Sequence, residues 1–230
     1  MKSALTSPHS GDNPAQKLLH ALEVFITKIP TSEEHKNKNP HKKANTIVIT
    51  AASKSALISS TLAIPPGPTG LLTIIPDLIA IWKVQAQMVA DIAGVFGKSA
   101  SLTQEQMIYC IFKHTAAHVV GELVSRVGER LLVRRASLRV IQRVLQKIAP
   151  RITQRVIGST VSRWIPIIGP LAIGGYAYYD TAQAGKTAIE FFESDIVVES
   201  VSVEKIPKIK RPVKKKTAKK KVPKKKDKGE

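Results

Sequence analysis

Apolar residues recur along this chain at the three- and four-residue spacing of helices that face a common core. Leu18, Leu19, Leu22, Phe25, Ile26 and Ile29 follow Asn13-Pro14, an N-cap side chain with proline at the first helical position, and Pro30 ends the run. Thr31 to Lys43 lacks that period, contains Pro40 and predicts a surface loop. From Ala44 to Ala63 the pattern is small and aliphatic, with Lys54 its only charge, which predicts a largely buried helix. Ile64-Pro65-Pro66-Gly67-Pro68-Thr69-Gly70 then forbids helix and forces a turn. Pro76 and Asp77 suit the first turn of the next helix. Proline loses no needed donor there, and the carboxylate meets the positive end of the helix dipole. That helix runs through Trp82, Gln85, Met88 and Ile92 to about Val95.

Gly97 closes it, and Thr103 and Gln106 stand at capping-box spacing before another helix. Helical periodicity continues from Met107 to about Leu132 and from Arg134 to Ile148, stops at Pro150, and resumes from Arg151 to about Val161. No alternating strand is legible. Trp164 to Tyr179 is uncharged but holds Pro166, Gly169, Pro170, Gly174 and Gly175, and is short for a hydrocarbon core of about 30 Å. Ala56 to Trp82 is longer, yet its Pro-Gly turn lies near the middle. Both read as a helix, a turn and a helix, forming a hairpin either packed in the core or dipped into a bilayer. Their turn residues are Pro65, Pro66, Gly67, Pro76, Asp77, Pro166 and Gly169. Thr181 to Phe192 is a further amphipathic stretch. The expected fold class is all-α, one helical domain with two Pro/Gly-interrupted apolar hairpins and a disordered basic C-terminal tail. Residues 1–12 are expected to be a flexible N-terminus, 13–200 the domain and 201–230 the tail.

Composition sharpens this picture. A chain of 230 residues holds one core comfortably. Hydrophobic residues are 43% but aromatics only 5%, so the interior is nearly all Ala, Val, Ile and Leu, a mixture suited to helices packed through small contacts. One cysteine, Cys110, excludes an intramolecular disulfide and fits a reducing compartment. Met1 to Gln16 lacks the uninterrupted apolar stretch of a signal peptide, so a cytoplasmic location is expected. The net charge of +19 is unevenly placed: Lys205 to Glu230 holds 14 of the 36 basic residues against two acidic ones, and the rest of the chain is still basic. A tail of Lys-Lys-Lys repeats, Lys214, Lys215 and Lys216 among them, cannot bury enough apolar surface to fold.

Three blocks together resemble the EcsC family of bacterial proteins. They are IPPGPTGLLTIIPDLIAIWKVQAQMVADIAGVFG, the Arg-rich region before Pro150, and IPIIGPLAIGGYAYYDTAQAGKTAIEFF, covering roughly Ala44 to Phe192. The family often has an asparagine after the start of the last Gly-rich helix, where this chain reads Tyr178-Tyr179-Asp180. The resemblance implies a helical protein of hydrophobic, membrane-linked character, from a family named for a gene beside a transporter, with no assigned enzymatic activity. The protein is expected to act with a transporter or in envelope maintenance, on the cytoplasmic side and peripheral to or partly inserted in the inner membrane.

Four features carry candidate chemistry. Cys110, His114, His118 and Glu122 fall at four-residue steps, and His114, His118 and Glu122 could hold a divalent ion. Without HExxH, no glutamate is placed to activate a water. Asp77, Asp91, Asp180 and Glu190 are acids set in apolar stretches, and a pair of them meeting in the core could do acid-base work. Arg126, Arg130, Arg134, Arg139, Arg143, Lys147, Arg151 and Arg155 form a basic stripe that fits anionic lipid headgroups or a solvated face. The Lys-rich tail would bind any polyanion but has no aromatic residue for base stacking. GxSxG, the Walker loop, the Rossmann fingerprint and CxxC are absent. The expectation is therefore a membrane-associated helical protein of unassigned activity, with no catalytic motif to make it an enzyme and no cofactor. Its partner would be an anionic lipid surface, together with a transporter or envelope protein. The alternatives are a nucleic-acid-binding protein acting through its tail, or a metal-dependent enzyme. The pattern implies no oligomeric state.

Overall fold

The computed structural model describes residues 14–62, 74–128, 130–159 and 168–199. The N-terminus 1–12, the tail 201–230 with Lys214, Lys215 and Lys216, and the turn residues Pro65, Pro66, Gly67 and Pro166 lie outside them.

The helical reading holds through most of the chain. α1 (Pro14–Ile26) buries Leu18, Leu22 and Ile26 at four-residue spacing. α2 (Pro40–Leu62) starts before the expected Ala44, because Pro40 itself takes the first helical position with polar residues after it. α3 (Ile74–Val95) has Pro76 and Asp77 in its first turn, and Gly97, at φ 74°, closes the segment beyond it. A 3-10 turn (Ser99–Ser101) leads to α4 (Gln104–Val120). There the Thr103 hydroxyl accepts from Gln106 N and the Gln106 side chain accepts from Thr103 N, forming the capping box read from the sequence. α5 (Leu138–Ser159) buries Ile141, Val144, Leu145, Ile148, Ala149 and Ile152, a continuous amphipathic stripe. Pro150 sits inside that helix, where a break was expected; it faces solvent, where losing one backbone bond is tolerated. α6 (Ile168–Glu193) is a single helix with Gly169 and Pro170 in its first turn, about 39 Å long at 1.5 Å per residue.

Two expectations are corrected. The helix from Met107 does not reach Leu132; it ends at Val120, and β1 (Val124–Val127) and β2 (Arg130–Arg134) form an antiparallel hairpin. The segment after Phe192 contains β3 (Asp195–Glu199), which pairs parallel with β2. The sheet order is β1-β2-β3. Gly128, at φ 61°, supplies the turn, and Leu131 and Val133 point to the core while Arg130 and Arg134 point out, a period of two.

α2 and α6 run antiparallel in close contact. A Cβ on Gly185 would lie 2.5 Å from Val48 Cγ2, and one on Gly174 would fall on Ser60 Oγ and 2.9 Å from Ala56 O. Small residues thus set this distance, as the low aromatic content suggested. The few aromatics lie deeper: Trp82 packs against Phe25 and Phe112, each with centroids 5.9 Å apart, and Phe191 against Tyr109 and Phe192. From Ile75 to Val95, α3 is long and apolar enough to cross a membrane, but most of it is buried in the protein, against α1, α2, α4 and α6.

Candidate functional site

The two halves of α6 differ in what they expose. Its N-terminal half presents Leu171 at 71%, Tyr178 at 40% and Tyr179 at 58% exposure, whereas the outward residues of its C-terminal half are Lys186, Glu190 and Glu193. Leu57 of α2, next in sequence to the Ala56 whose carbonyl meets Gly174, is also exposed. Because Ser59 Oγ donates to Asp77 Oδ1 at 2.7 Å, the start of α3 is at this same end. One end of the bundle therefore carries an apolar, tyrosine-bearing surface, of the kind that marks interaction sites when apolar residues cluster. Sequence reading treated these residues as core or hairpin and did not pick them out.

The expected basic stripe is divided between two kinds of element. Arg126 is on β1, and Arg130 and Arg134 are on β2; only Arg139, Arg143, Lys147 and Arg151 show side chains on α5, and Arg155 belongs to the same helix. On α5 they occupy the face opposite the buried stripe, which makes them solvent-facing. Lys147 pairs with Glu122. Among the described residues, Arg126, Arg130, Arg139, Arg143 and Arg151 make no side-chain ion pair.

Inside the bundle, the structure joins residues that the sequence kept apart. Asp180 of α6 accepts from His114 Nε2 of α4 at 2.7 Å through one carboxylate oxygen, and from Gln85 Nε2 of α3 at 2.9 Å through the other. Gln85 Nε2 also lies 3.3 Å from Thr181 Oγ1. Gln85 and Thr181 are fully buried, and the His114 and Asp180 side chains are 14% and 19% exposed. An ionised Asp180 fixes the Gln85 amide with nitrogen inward and the His114 proton on Nε2. Gln85 Oε1 and His114 Nδ1 are then buried without a partner among the described residues. A carboxylate that orients an imidazole can hold a proton, and it locks three helices in one arrangement. Two residues beyond His114 the helix breaks at Ala116, with φ −143° and ψ 42°, although the local sequence holds neither proline nor glycine.

That break removes the single face expected for His114, His118 and Glu122. His118 is exposed, and Glu122 lies beyond the end of α4, paired with Lys147. Among the described residues no group of three or more His, Cys, Asp or Glu side chains is placed to hold a metal ion. The acids also disperse. Asp77 bonds Ser59, Asp91 accepts from Gln87 at 2.9 Å, and Glu190 pairs with Lys113 at 3.3 Å. Asp77 and Gln85 share a face of α3 but stand two turns apart, about 12 Å. A shallow groove of about 340 Å³ between α2 and α3 is floored by Ile47, Ala51, Val84 and Met88. Cys110 is fully buried, and burial pushes its thiol pKa far up. Compared with protein-family models, curated proteins and solved structures, the chain finds no significant match.

Proposed function

We propose that this chain is a membrane-associated helical protein of unassigned activity that docks on anionic lipid, with the apolar end of α2 and α6 entering the interface and basic side chains meeting headgroups. The observation that carries this reading is the exposure of Leu171, Tyr178 and Tyr179 on one half of a helix whose other half is charged. Tyrosine suits the headgroup level, where its ring is apolar and its hydroxyl wet. Burying the exposed parts of Leu57, Leu171, Tyr178 and Tyr179 contributes on the order of 1 kcal/mol each. Arg143 and Arg151 of α5, which make no ion pair among the described residues, add about 1 kcal/mol each at physiological salt where they meet headgroups. The two contributions are comparable, and salt separates them: screening removes the second and leaves the first. The resemblance to the EcsC family supports a place at the cytoplasmic face of the inner membrane, beside a transporter or in envelope maintenance.

Flotation on phosphatidylglycerol-containing vesicles tests this. The full chain is expected to float at low salt and to remain partly bound at high salt. The doubly substituted Leu171→Glu, Tyr179→Glu chain is expected to lose the salt-resistant fraction. Failure of the full chain to float at low salt would contradict the reading. Retention on duplex DNA without any flotation would move the assignment to nucleic acid bound through the Lys-rich tail.

A further inference from the structure

We infer that the sheet end of the molecule is a second bilayer-binding surface, so that one molecule holds two anionic membranes together, one at each end of α6. This rests on the membrane reading above and adds a second site and a consequence.

Only Ser194 separates α6 from β3, and Arg130 stands in register with Asp195 on one side and Val127 on the other. The hairpin turn is therefore fixed to the C-terminal end of α6. The exposed apolar residues Leu171 and Tyr179 belong to the other half, about 36 and 24 Å away along the axis at 1.5 Å per residue. A flat bilayer that meets the N-terminal end of α6 end-on does not reach the hairpin at its other end.

The chemistry of the sheet end suits a lipid surface in its own right. Arg126 and Arg130 are exposed around Val127, itself 64% exposed, and Leu138, at 72%, sits between exposed Arg135 and Arg139. None of these four arginines makes a side-chain ion pair among the described residues. Exposed apolar side chains flanked in sequence by arginines without an ion pair suit an anionic interface, the cations meeting phosphates and the apolar groups passing below them. A phosphate backbone alone gives Val127 and Leu138 nothing to enter. The segment from Val124 to Arg139 also lacks any aromatic residue for stacking on a base. These two points favour lipid over nucleic acid.

The test mixes two vesicle populations of phosphatidylglycerol and phosphatidylcholine, one with a donor and one with an acceptor lipid, and follows energy transfer and light scattering on adding the full chain. Wild type is expected to cluster them. The Arg126→Gln, Val127→Ser, Arg130→Gln chain, substituted only at exposed positions, is expected to float as wild type does but to cluster at least tenfold more slowly. Circular dichroism checks its fold, and Arg135→Gln, Leu138→Ser, Arg139→Gln provides a second variant with the same expected outcome. Clustering by both variants at the wild-type rate would overturn the proposal, since the Lys-rich tail would then suffice. Flotation of wild type without clustering would overturn it and leave the membrane reading intact, whereas no flotation would end both. A variant that loses retention on duplex DNA and still clusters vesicles would reassign the hairpin to nucleic acid.

Discussion

Asp180 holds the interior polar chemistry of this protein together, because both of its oxygens are occupied by side chains from two other helices. Replacing it with alanine leaves the buried Gln85 amide and the His114 ring without their acceptor, and a buried polar group stripped of its partner costs about 1 to 3 kcal/mol. Asp180→Ala is expected to lower unfolding stability by about 2 to 3 kcal/mol, read from the midpoint and slope of urea denaturation. A loss under about 0.5 kcal/mol would mean that the cluster carries no net stability. The sequence singled out His114 and Asp180 but not their union. They are 66 residues apart, and nothing local to either one announces the other. The signal that was present is Gln85, a polar residue on a helix face whose other members, Ile81, Trp82, Val89 and Ile92, are apolar and buried. Cys110 gives a second test at this scale. Its thiol is fully buried and its pKa pushed up, so it should not react with a disulfide reagent near neutral pH until urea unfolds the chain. Rapid labelling of the native protein would contradict the packing of α4.

At the scale of elements, local punctuation was legible and long-range pairing was not. The capping box of α4 and the first turn of α3 follow from residues three positions apart or fewer, so the sequence displays them directly. Thr103→Ala should cost about 1 kcal/mol, the usual loss for an N-cap hydroxyl, measured by thermal or urea denaturation. The strands were hidden because Leu131, Leu132 and Val133 extend a helical period carried over from α4; Gly128 and the pairing with Asp195 to Glu199 decide against it. Lys98 ties this region to α6. Its ammonium donates to Phe192 O at 2.7 Å in the last turn of that helix and to Ser194 O at 3.0 Å just beyond it. Burial lowers the Lys98 pKa from the ordinary 10.5, and the Asp195 carboxylate only partly offsets this. Between the lowered value and 10.5 the unfolded chain binds more protons than the folded one, so this group makes stability rise with pH over that window. The difference in urea midpoint between wild type and Lys98→Met should change in that sense as pH is raised toward 10.5, and an unchanged difference would show that Lys98 is not desolvated.

For the whole molecule, the all-α class with a basic character was readable from periodicity and charge, whereas the surface that carries the functional proposal was not. Leu171, Tyr178 and Tyr179 look like core residues by composition. Their exposure depends on α6 having α2, α3 and α4 on its other sides, with the approach of α2 set by Gly174 and Gly185. The central claim is that the apolar face of the N-terminal half of α6 enters a bilayer, whereas the charged face of its C-terminal half, with Lys186 and Glu190, stays in water. Because Cys110 is buried, a single introduced cysteine can be labelled selectively, at Leu171→Cys or at Glu190→Cys, with an environment-sensitive fluorophore. On adding vesicles containing phosphatidylglycerol, the label at position 171 is predicted to brighten and shift to the blue while the label at 190 keeps its aqueous emission. An aqueous spectrum at position 171 on vesicles that have bound the protein would contradict the account.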